Sequence, residues 1–251
     1  MLNNKNIIVL GGFGKIGFAT VKEILNNNGK VLIVDKINKV LKKEIKSKNK
    51  NLEILNLDIL ENKSMEKIIN FAKRKFITID GFVNAFYPKS KKWGTHFEKL
   101  NIKYLKEDIS NQLAIPIIIS QRIILFYLKQ GFGNLINISS IQGSNNPKFE
   151  HYKNLNMTSP IEYSAIKSAT ISYSKYLAKL YKKKNIRINI VSPGGIEDNQ
   201  NIKFKKRYVA DCNSKGLLEG RDIAKTIVFL LSDNSKYING QNIIVDDGWS
   251  L

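Results

Sequence analysis

Cysteine is nearly absent from this chain of 251 residues, and the one that occurs, Cys212, cannot form an internal disulfide. It has no neighbouring cysteine or histidine at the spacing of metal ligands, so we predict no metal site. A catalytic thiol also needs an activating base, and none is evident beside Cys212 in the sequence, which favours an incidental residue over a nucleophile. The composition therefore fits a reducing compartment.

A long apolar segment is missing from the N-terminus. Only the short run from Ile7 to Leu10 follows the polar start of the chain, far less than a signal-peptide core or a membrane span needs. We therefore expect a cytoplasmic protein with no membrane partner. Because 251 residues can bury one full core, we expect a single domain over residues 1–251.

Acidic residues are scarce, since 21 Asp and Glu stand against 41 Lys and Arg and leave a formal net charge of +20. Such an excess ordinarily suggests a nucleic-acid or membrane partner, because clustered cations release counterions when they meet phosphate. Here the lysines are scattered among asparagines and isoleucines, and no arginine-rich or aromatic-interleaved patch stands out. We therefore expect no nucleic-acid partner.

The chain does contain a regular alternation of short apolar runs and segments with helical spacing. Strands connected by right-handed crossover helices form a parallel sheet that is covered on both faces. The predicted fold class is α/β: a single-domain Rossmann fold with a seven-stranded, mainly parallel, doubly wound sheet flanked by helices. The predicted strands are residues 6–10, 31–34, 52–57, 80–84, 135–138, 187–191 and 242–245. The predicted helices include residues 38–48, 63–75, 100–129 (interrupted or adjusted around Pro116) and 161–184.

The turn after the first strand is rich in glycine, with Gly11, Gly14 and Gly17 at every third residue. One glycine permits the tight turn, one lets the backbone approach a pyrophosphate, and one lets the helix pack on the strand. The helix that follows, with Lys15 and Ile16 in its first turn, offers free N–H groups and its positive dipole end. The pattern predicts a dinucleotide site, although glycine also serves such turns for conformation alone.

Two aspartates end the next two strands and bear on the choice of cofactor. Asp35 lies where a carboxylate would bind the adenosine ribose hydroxyls and repel a ribose phosphate, which favours NAD over NADP. We expect Lys15 and Lys36 to lie close enough to soften that preference, and a solvated strand-end aspartate is the alternative. Asp58 is expected either to accept from the adenine amino group or to cap a helix.

Tyr163 and Lys167 are four residues apart in a segment of helical spacing, and so lie on one face of a helix. A nearby ammonium favours phenolate, so we expect Lys167 to lower the pKa of Tyr163 and to let the phenol act as acid or base. The spacing alone is weak evidence, because such pairs occur often by chance.

Besides this pair and the glycine turn, the chain has Asn137-Ile138-Ser139-Ser140 at one strand end and Ser192-Pro193-Gly194 at another. With these motifs it resembles the short-chain dehydrogenase/reductase family over essentially its whole length. The resemblance implies that Ser140 holds the substrate oxygen, Tyr163 transfers the proton, Lys167 binds the nicotinamide ribose, and Asn111 completes a proton relay. It implies NAD as cofactor, bound by Gly11, Gly14, Lys15, Ile16, Gly17, Asp35, Asp58, Ile59, Asn84, Ala85, Tyr163, Lys167, Pro193, Gly194 and Ile196.

Departures from the family pattern also occur. Leu10 replaces the usual threonine of the glycine turn, and Asn84-Ala85-Phe86-Tyr87-Pro88 replaces the family's Asn-Asn-Ala-Gly. The interval from Ser140 to Tyr163 is about ten residues longer than usual, which predicts a substrate loop at about 143–161 besides a lid at about 196–217. Tyr152 is closer to the usual interval, but Asn156 stands four residues after it, so Tyr163 is preferred.

The chain also resembles bacterial oxidoreductases of flagellin-glycan and nonulosonic acid pathways, in the same motifs and in its ending Val245-Asp246-Asp247-Gly248-Trp249-Ser250-Leu251. That resemblance implies an alcohol or ketone carbon of a phosphorylated or nucleotide-activated amino sugar as substrate. We expect its anionic group to meet lid cations, namely Lys203, Lys205, Lys206 and Arg207, and also Lys148 and His151.

Two alternatives remain at this point: a non-catalytic NAD(H) sensor, and a reductase of another carbonyl substrate such as an oxoacyl thioester. We also expect a homodimer or homotetramer, because the apolar helix around Pro116, the helix after Tyr163 and the apolar C-terminal end resemble the family's contact surfaces.

Overall fold

Seven strands form one sheet in the computed structural model, which describes residues 1–45 and 49–251. The strand order is β3-β2-β1-β4-β5-β6-β7, and every adjacent pair of these strands is parallel. The strands are β1 (Asn6–Leu10), β2 (Lys30–Asp35), β3 (Leu52–Asn56), β4 (Gly81–Asn84), β5 (Gly133–Ile138), β6 (Ile186–Pro193) and β7 (Asn242–Val245). The predicted doubly wound sheet is confirmed, and the order reverses between β1 and β4, where such folds open a crevice for ligands.

Helices cover both faces of the sheet. They are α1 (Lys15–Asn26), α2 (Lys39–Ile45), α3 (Ser64–Lys75), α4 (Ile102–Ile109), α5 (Ile115–Gln130), α6 (Ile161–Leu180), α7 (Ile202–Ala210) and α8 (Gly220–Leu231). Residues 46–48, the end of the helix predicted at 38–48, lie outside the described residues.

The core has two layers because side chains alternate along each strand. On β1, Ile8 and Leu10 join the layer beneath α3, α5 and α6, whereas Ile7 and Val9 join the layer beneath α1 and α8. All four are fully buried. This burial on both faces explains why the strand reads as a continuous apolar run, as parallel strands do.

The long apolar helix changes pitch before Pro116 and not at it. Ser110–Ala114 forms a π-helical turn between α4 and α5, and Pro116 occupies the first turn of α5. Proline has no amide hydrogen to donate to the preceding turn, so a wider turn is accommodated there. By length and composition the stretch Ile102–Gln130 could cross a membrane, a test that core helices of soluble proteins also pass.

Candidate active site

The glycine turn brings the backbone of β1 into close contact with the segment after β4. Gly11 has a φ of +69°, and a β-carbon there would lie 2.6 Å from the carbonyl oxygen of Ala85. A β-carbon at Gly17 would lie 2.1 Å from the carbonyl oxygen of Gly11. Gly14 precedes α1 without a side chain that could cap it, so the first N–H groups of α1 are available to an anion.

Asp35 ends β2 with its carboxylate beside this turn. It accepts hydrogen bonds from the backbone N–H of Phe13 at 2.9 Å and of Lys36 at 2.8 Å. Burial raises the pKa of Asp35, and these two hydrogen bonds act in the opposite direction. The carboxylate therefore helps to hold the glycine turn and is not merely a solvated strand end.

Asp58 follows β3 and pairs with Lys36, whose Nζ lies 2.7 Å from its carboxylate. The hydrogen bond from Lys36 lowers the pKa of Asp58. The carboxylate also accepts from the backbone N–H of Leu60 at 3.0 Å, so it caps the turn before α3 and not α3 itself, which begins at Ser64. Asp58 and the buried Ile59 both line the same cavity as the glycine turn.

Ser140, Tyr163 and Lys167 meet at the carboxyl end of β5. Ser140 caps a short 3-10 turn and accepts from the N–H of Gln142 at 3.2 Å, while Ser139 donates to the carbonyl of Lys167 at 2.8 Å. Lys167 Nζ donates to the carbonyl of Ile138 at 3.0 Å and lies 5.6 Å from the ring centroid of Tyr163. The predicted pair thus lies beside Ser140 on one face of α6.

Burial dominates the electrostatics of this pair. It lowers the pKa of Lys167 to about 8 and raises the pKa of Tyr163, whereas the neighbouring Ser140 hydroxyl lowers the pKa of Tyr163. The sequence prediction that Lys167 lowers the pKa of Tyr163 is therefore wrong for this structure. The Lys167 ammonium donates to the Ile138 carbonyl, and burial of the phenol is the largest influence on the pKa of Tyr163.

A cavity of about 910 Å³ joins the glycine turn to Tyr163. Its lining contains all but two of the residues predicted from the sequence as catalytic or cofactor-binding. Asn84 is buried and does not line the cavity, and its Nδ2 donates to Oδ1 of Asn137 at 3.4 Å. Asn111 lies in the π-helical turn, outside the lining.

Hydrogen bonds connect the lid to the substrate loop. Arg207, on α7, donates to the carbonyls of Glu150 at 3.3 Å, His151 at 3.2 Å and Lys153 at 2.6 Å. His151 is buried and its Nε2 lies 2.7 Å from a carboxylate oxygen of Asp211, next to the end of α7.

The predicted cations of the lid do not line the cavity, nor does Lys148 of the loop. Lys205 pairs with Glu197, and Lys148 pairs with Asp211 at 3.2 Å. Of the residues expected to read an anion, only His151 is part of the lining. The expectation that the lid reads an anion is therefore not supported, because Arg207 already bonds to the backbone of the loop.

Sequence reasoning missed several lining residues, among them Tyr87, Lys89 and Trp93. All three belong to the segment after β4, where the chain departs from the family's Asn-Asn-Ala-Gly. That departure was the available signal, since a large aromatic residue in place of a small one at a strand end changes the shape of whatever lies there.

Comparison with known proteins agrees with this geometry. A family model described as enoyl-(acyl carrier protein) reductase matches residues 14–250. The post-translational flagellin modification protein A of Campylobacter coli is 43% identical, with 100% of each chain covered. The 7alpha-hydroxysteroid dehydrogenase of Bacteroides fragilis is 32% identical, with 99% of this chain and 95% of that protein covered.

Among solved structures, a short chain dehydrogenase from Leptospira borgpetersenii with bound NAD+ superposes with a TM-score of 0.89 at 25% identity. The match covers 100% of this chain and 94% of that one. The chain belongs to the short-chain dehydrogenase/reductase family.

Proposed function

We propose that the protein is an NAD(H)-dependent oxidoreductase that acts on an alcohol or ketone carbon. The observation that carries the proposal is the presence of Ser140, Tyr163 and Lys167 in the same cavity as the glycine turn. A hydride acceptor and a proton-transferring group must both reach one carbon centre, and a shared cavity meets that requirement. The Leptospira dehydrogenase with bound NAD+, similar over the whole chain, supports the choice of cofactor.

The residues around the glycine turn fit a dinucleotide. The cradle formed by Gly11 and Gly17 has no room for side chains, and the first turn of α1 offers N–H groups for a pyrophosphate. Asp35 would bind the adenosine ribose and oppose a ribose phosphate, which favours NAD over NADP. The other proposed cofactor contacts are Gly14, Lys15, Ile16, Asp58, Ile59, Asn84, Ala85, Pro193, Gly194, Ile196 and Lys167, the last on the nicotinamide ribose.

When bound, the nicotinamide would accept or supply the hydride. The protein's own groups handle the proton and the oxygen: Tyr163 exchanges a proton with the substrate oxygen, and Ser140 donates a hydrogen bond to that oxygen. Lys167 positions the ribose and the phenol, and Asn111 extends the proton relay from its π-helical turn. The raised pKa of Tyr163 keeps the phenol protonated at neutral pH, which suits its role as an acid in ketone reduction.

The proposal is tested by Tyr163→Phe, which keeps the ring and removes the transferable proton. We expect turnover to fall by about 10²–10⁴-fold, with the dissociation constant for NADH nearly unchanged. Tyr152→Phe is measured in parallel, because Tyr152 also lines the cavity. If Tyr163→Phe retains more than about a tenth of the activity and Tyr152→Phe does not, the proton-transferring residue is Tyr152.

For the substrate, we propose a sugar derivative of a surface-glycan pathway, probed with phosphorylated and nucleotide-linked hexosamines in an assay of NADH formation. The support is the similarity to the flagellin modification protein over the full chain. Lys89 is an exposed cation of the cavity lining, away from the glycine turn and from Asp35 and Asp58. An anionic group of the substrate would meet this lysine. An oxoacyl thioester reductase is the alternative within the family.

A non-catalytic NAD(H) sensor is the alternative from another class. It is disfavoured because a protein that only binds the cofactor has no use for the Ser140 hydroxyl and the Tyr163 phenol in the same cavity. The same assay separates the two: cofactor binding without turnover on any hexosamine, thioester or steroid would favour the sensor.

We also propose that α5 and α6 form a contact between copies of the chain. Both helices expose large apolar side chains: Ile117, Ile118, Leu125, Leu128, Tyr176 and Leu180. Several large apolar side chains exposed on two helices favour a contact with another copy of the chain. Light scattering on the purified protein should give a dimer or tetramer mass, and Ile118→Glu should lower it.

A further inference from the structure

Three aromatic rings pack edge-to-face at one side of the cavity. The centroids of Tyr87 and Trp93 are 5.6 Å apart, and those of Tyr87 and Tyr163 are 5.8 Å apart. Trp93 lies 5.9 Å from Tyr163, and Lys167 Nζ lies 5.1 Å from the centroid of Tyr87. Tyr87 and Trp93, here called the aromatic wall, therefore touch the residue proposed to bind the reacting oxygen.

A buried anchor holds the aromatic wall in place. Ser90, between the two aromatic residues, donates to the carboxylate of Asp108 on α4 from its backbone N–H at 2.9 Å and from its hydroxyl at 2.7 Å. Asp108 is 2% exposed. The N–H of Trp93 donates to the carbonyl of Ser90 at 3.2 Å, so the ring is fixed by a turn and not carried on a free loop.

Another stretch of the cavity lining is polar. Gln142 accepts from the hydroxyl of Ser159 at 2.5 Å, and burial raises the pKa of the nearby Tyr152 phenol while these two side chains lower it. All three side chains line the cavity and are half-buried. One cavity thus combines an aromatic surface, beside the reacting phenol, with a set of hydroxyl and amide groups.

We propose that the aromatic wall selects a saturated, polyhydroxylated ring, whose C–H groups pack against Tyr87 and Trp93 while its hydroxyl groups bond to Gln142, Tyr152 and Ser159. The inference deepens the proposed function and rests on it. A steroid has apolar faces on both sides and offers these polar groups no hydrogen bond beyond those they make with each other, whereas hydroxyl groups on a ring can bond to them. A pyranose ring satisfies both parts of the lining.

The test compares glucosamine-6-phosphate, which closes to a pyranose ring, with its alditol, the reduced open chain that carries two more hydrogens and cannot close. Their dissociation constants are measured by calorimetry on the NADH-loaded protein. We expect the wild type to bind the ring form more tightly. We expect Trp93→Leu to weaken binding of the ring form by about three- to tenfold, the range of one aromatic contact, and to leave the alditol within about twofold.

Rescue and control variants separate the wall from the fold. Trp93→Phe keeps an aromatic face and should restore most of the ring preference. Phe97→Leu removes an exposed aromatic side chain from the same segment, outside the cavity lining, and should change neither constant.

The inference is overturned if the wild type does not prefer the ring form, including the case in which neither ligand binds. It is also overturned if Trp93→Leu weakens both ligands equally or mainly weakens NADH. Failure of the proposed function has a different signature, because it appears as turnover that Tyr163→Phe and Tyr152→Phe both leave intact, or as no turnover at all.

Discussion

Lys167 is expected to make the folded protein less stable than it would be without this charge. The side chain is 9% exposed, and burial lowers its pKa from the ordinary value of 10.5 to about 8. Each tenfold change in acidity is worth about 1.36 kcal/mol, so burying the protonated form costs about 3.4 kcal/mol. Replacing Lys167 with Met, a side chain of similar length without charge, removes that cost.

The substitution also removes one hydrogen bond, from Lys167 Nζ to the carbonyl of Ile138 at 3.0 Å. Such a bond contributes about 1 kcal/mol. The net expectation for Lys167→Met at neutral pH is therefore a gain of about 2 kcal/mol in the free energy of unfolding. For a chain of this size that gain corresponds to a rise of about 4–8 °C in Tm. Turnover should be lost, because Lys167 is proposed to position the cofactor ribose and Tyr163.

The pH dependence of the free energy of unfolding tests whether the buried ammonium of Lys167 is the cause of the difference. Between pH 8 and 10.5 the unfolded chain keeps a proton on Lys167 that the folded chain has released, so the stability of the wild type rises with pH in that window. The advantage of Lys167→Met should be largest below pH 8, shrink as the pH rises, and reverse slightly before pH 10.5, where only the lost hydrogen bond remains. Urea unfolding at several pH values, with the wild type and the variant compared at each, measures the difference directly.

Lys175→Met is the matched control, because Lys175 is an exposed lysine on the same helix, α6. Its substitution should change the free energy of unfolding by no more than about 0.5 kcal/mol. If Lys167→Met is less stable than the wild type at neutral pH, or if its advantage does not shrink toward pH 10.5, the assigned cost of burying the ammonium is wrong.

Two further predictions concern the cofactor and the lid. Asp35→Ala should narrow the difference between the dissociation constants for NADH and NADPH, measured by fluorescence titration, because the carboxylate that opposes a ribose phosphate is gone. An unchanged ratio would remove Asp35 from the selection of cofactor. Arg207→Ala should accelerate tryptic cleavage at Lys148 or Lys153, because three carbonyls of the substrate loop lose their donor. The ratio of catalytic efficiencies for a phosphorylated hexosamine and its neutral form should stay the same in that variant, and a lost preference for phosphate would show that Arg207 reads the anion after all.

The sequence alone predicted the features that depend on spacing along the chain. All seven strands occur where short apolar runs between helical segments predicted them, and the run is most continuous in β1, which is buried on both faces. Gly11, Gly14 and Gly17 line the predicted cavity, and Tyr163 and Lys167 share a helix face because four residues make about one turn. These are local relations, and the chain carries them without reference to distant residues.

Tertiary structure decided the features that depend on burial and on contacts between distant segments. The pKa of Tyr163 rises instead of falling because packing removes water from the phenol. Arg207 bonds to loop carbonyls more than 50 residues away, and Trp93 meets Tyr163 through a turn anchored on Asp108. A sequence lists charges and rings but not their neighbours, and the electrostatic and packing energies that set their roles depend on those neighbours and on the water they displace.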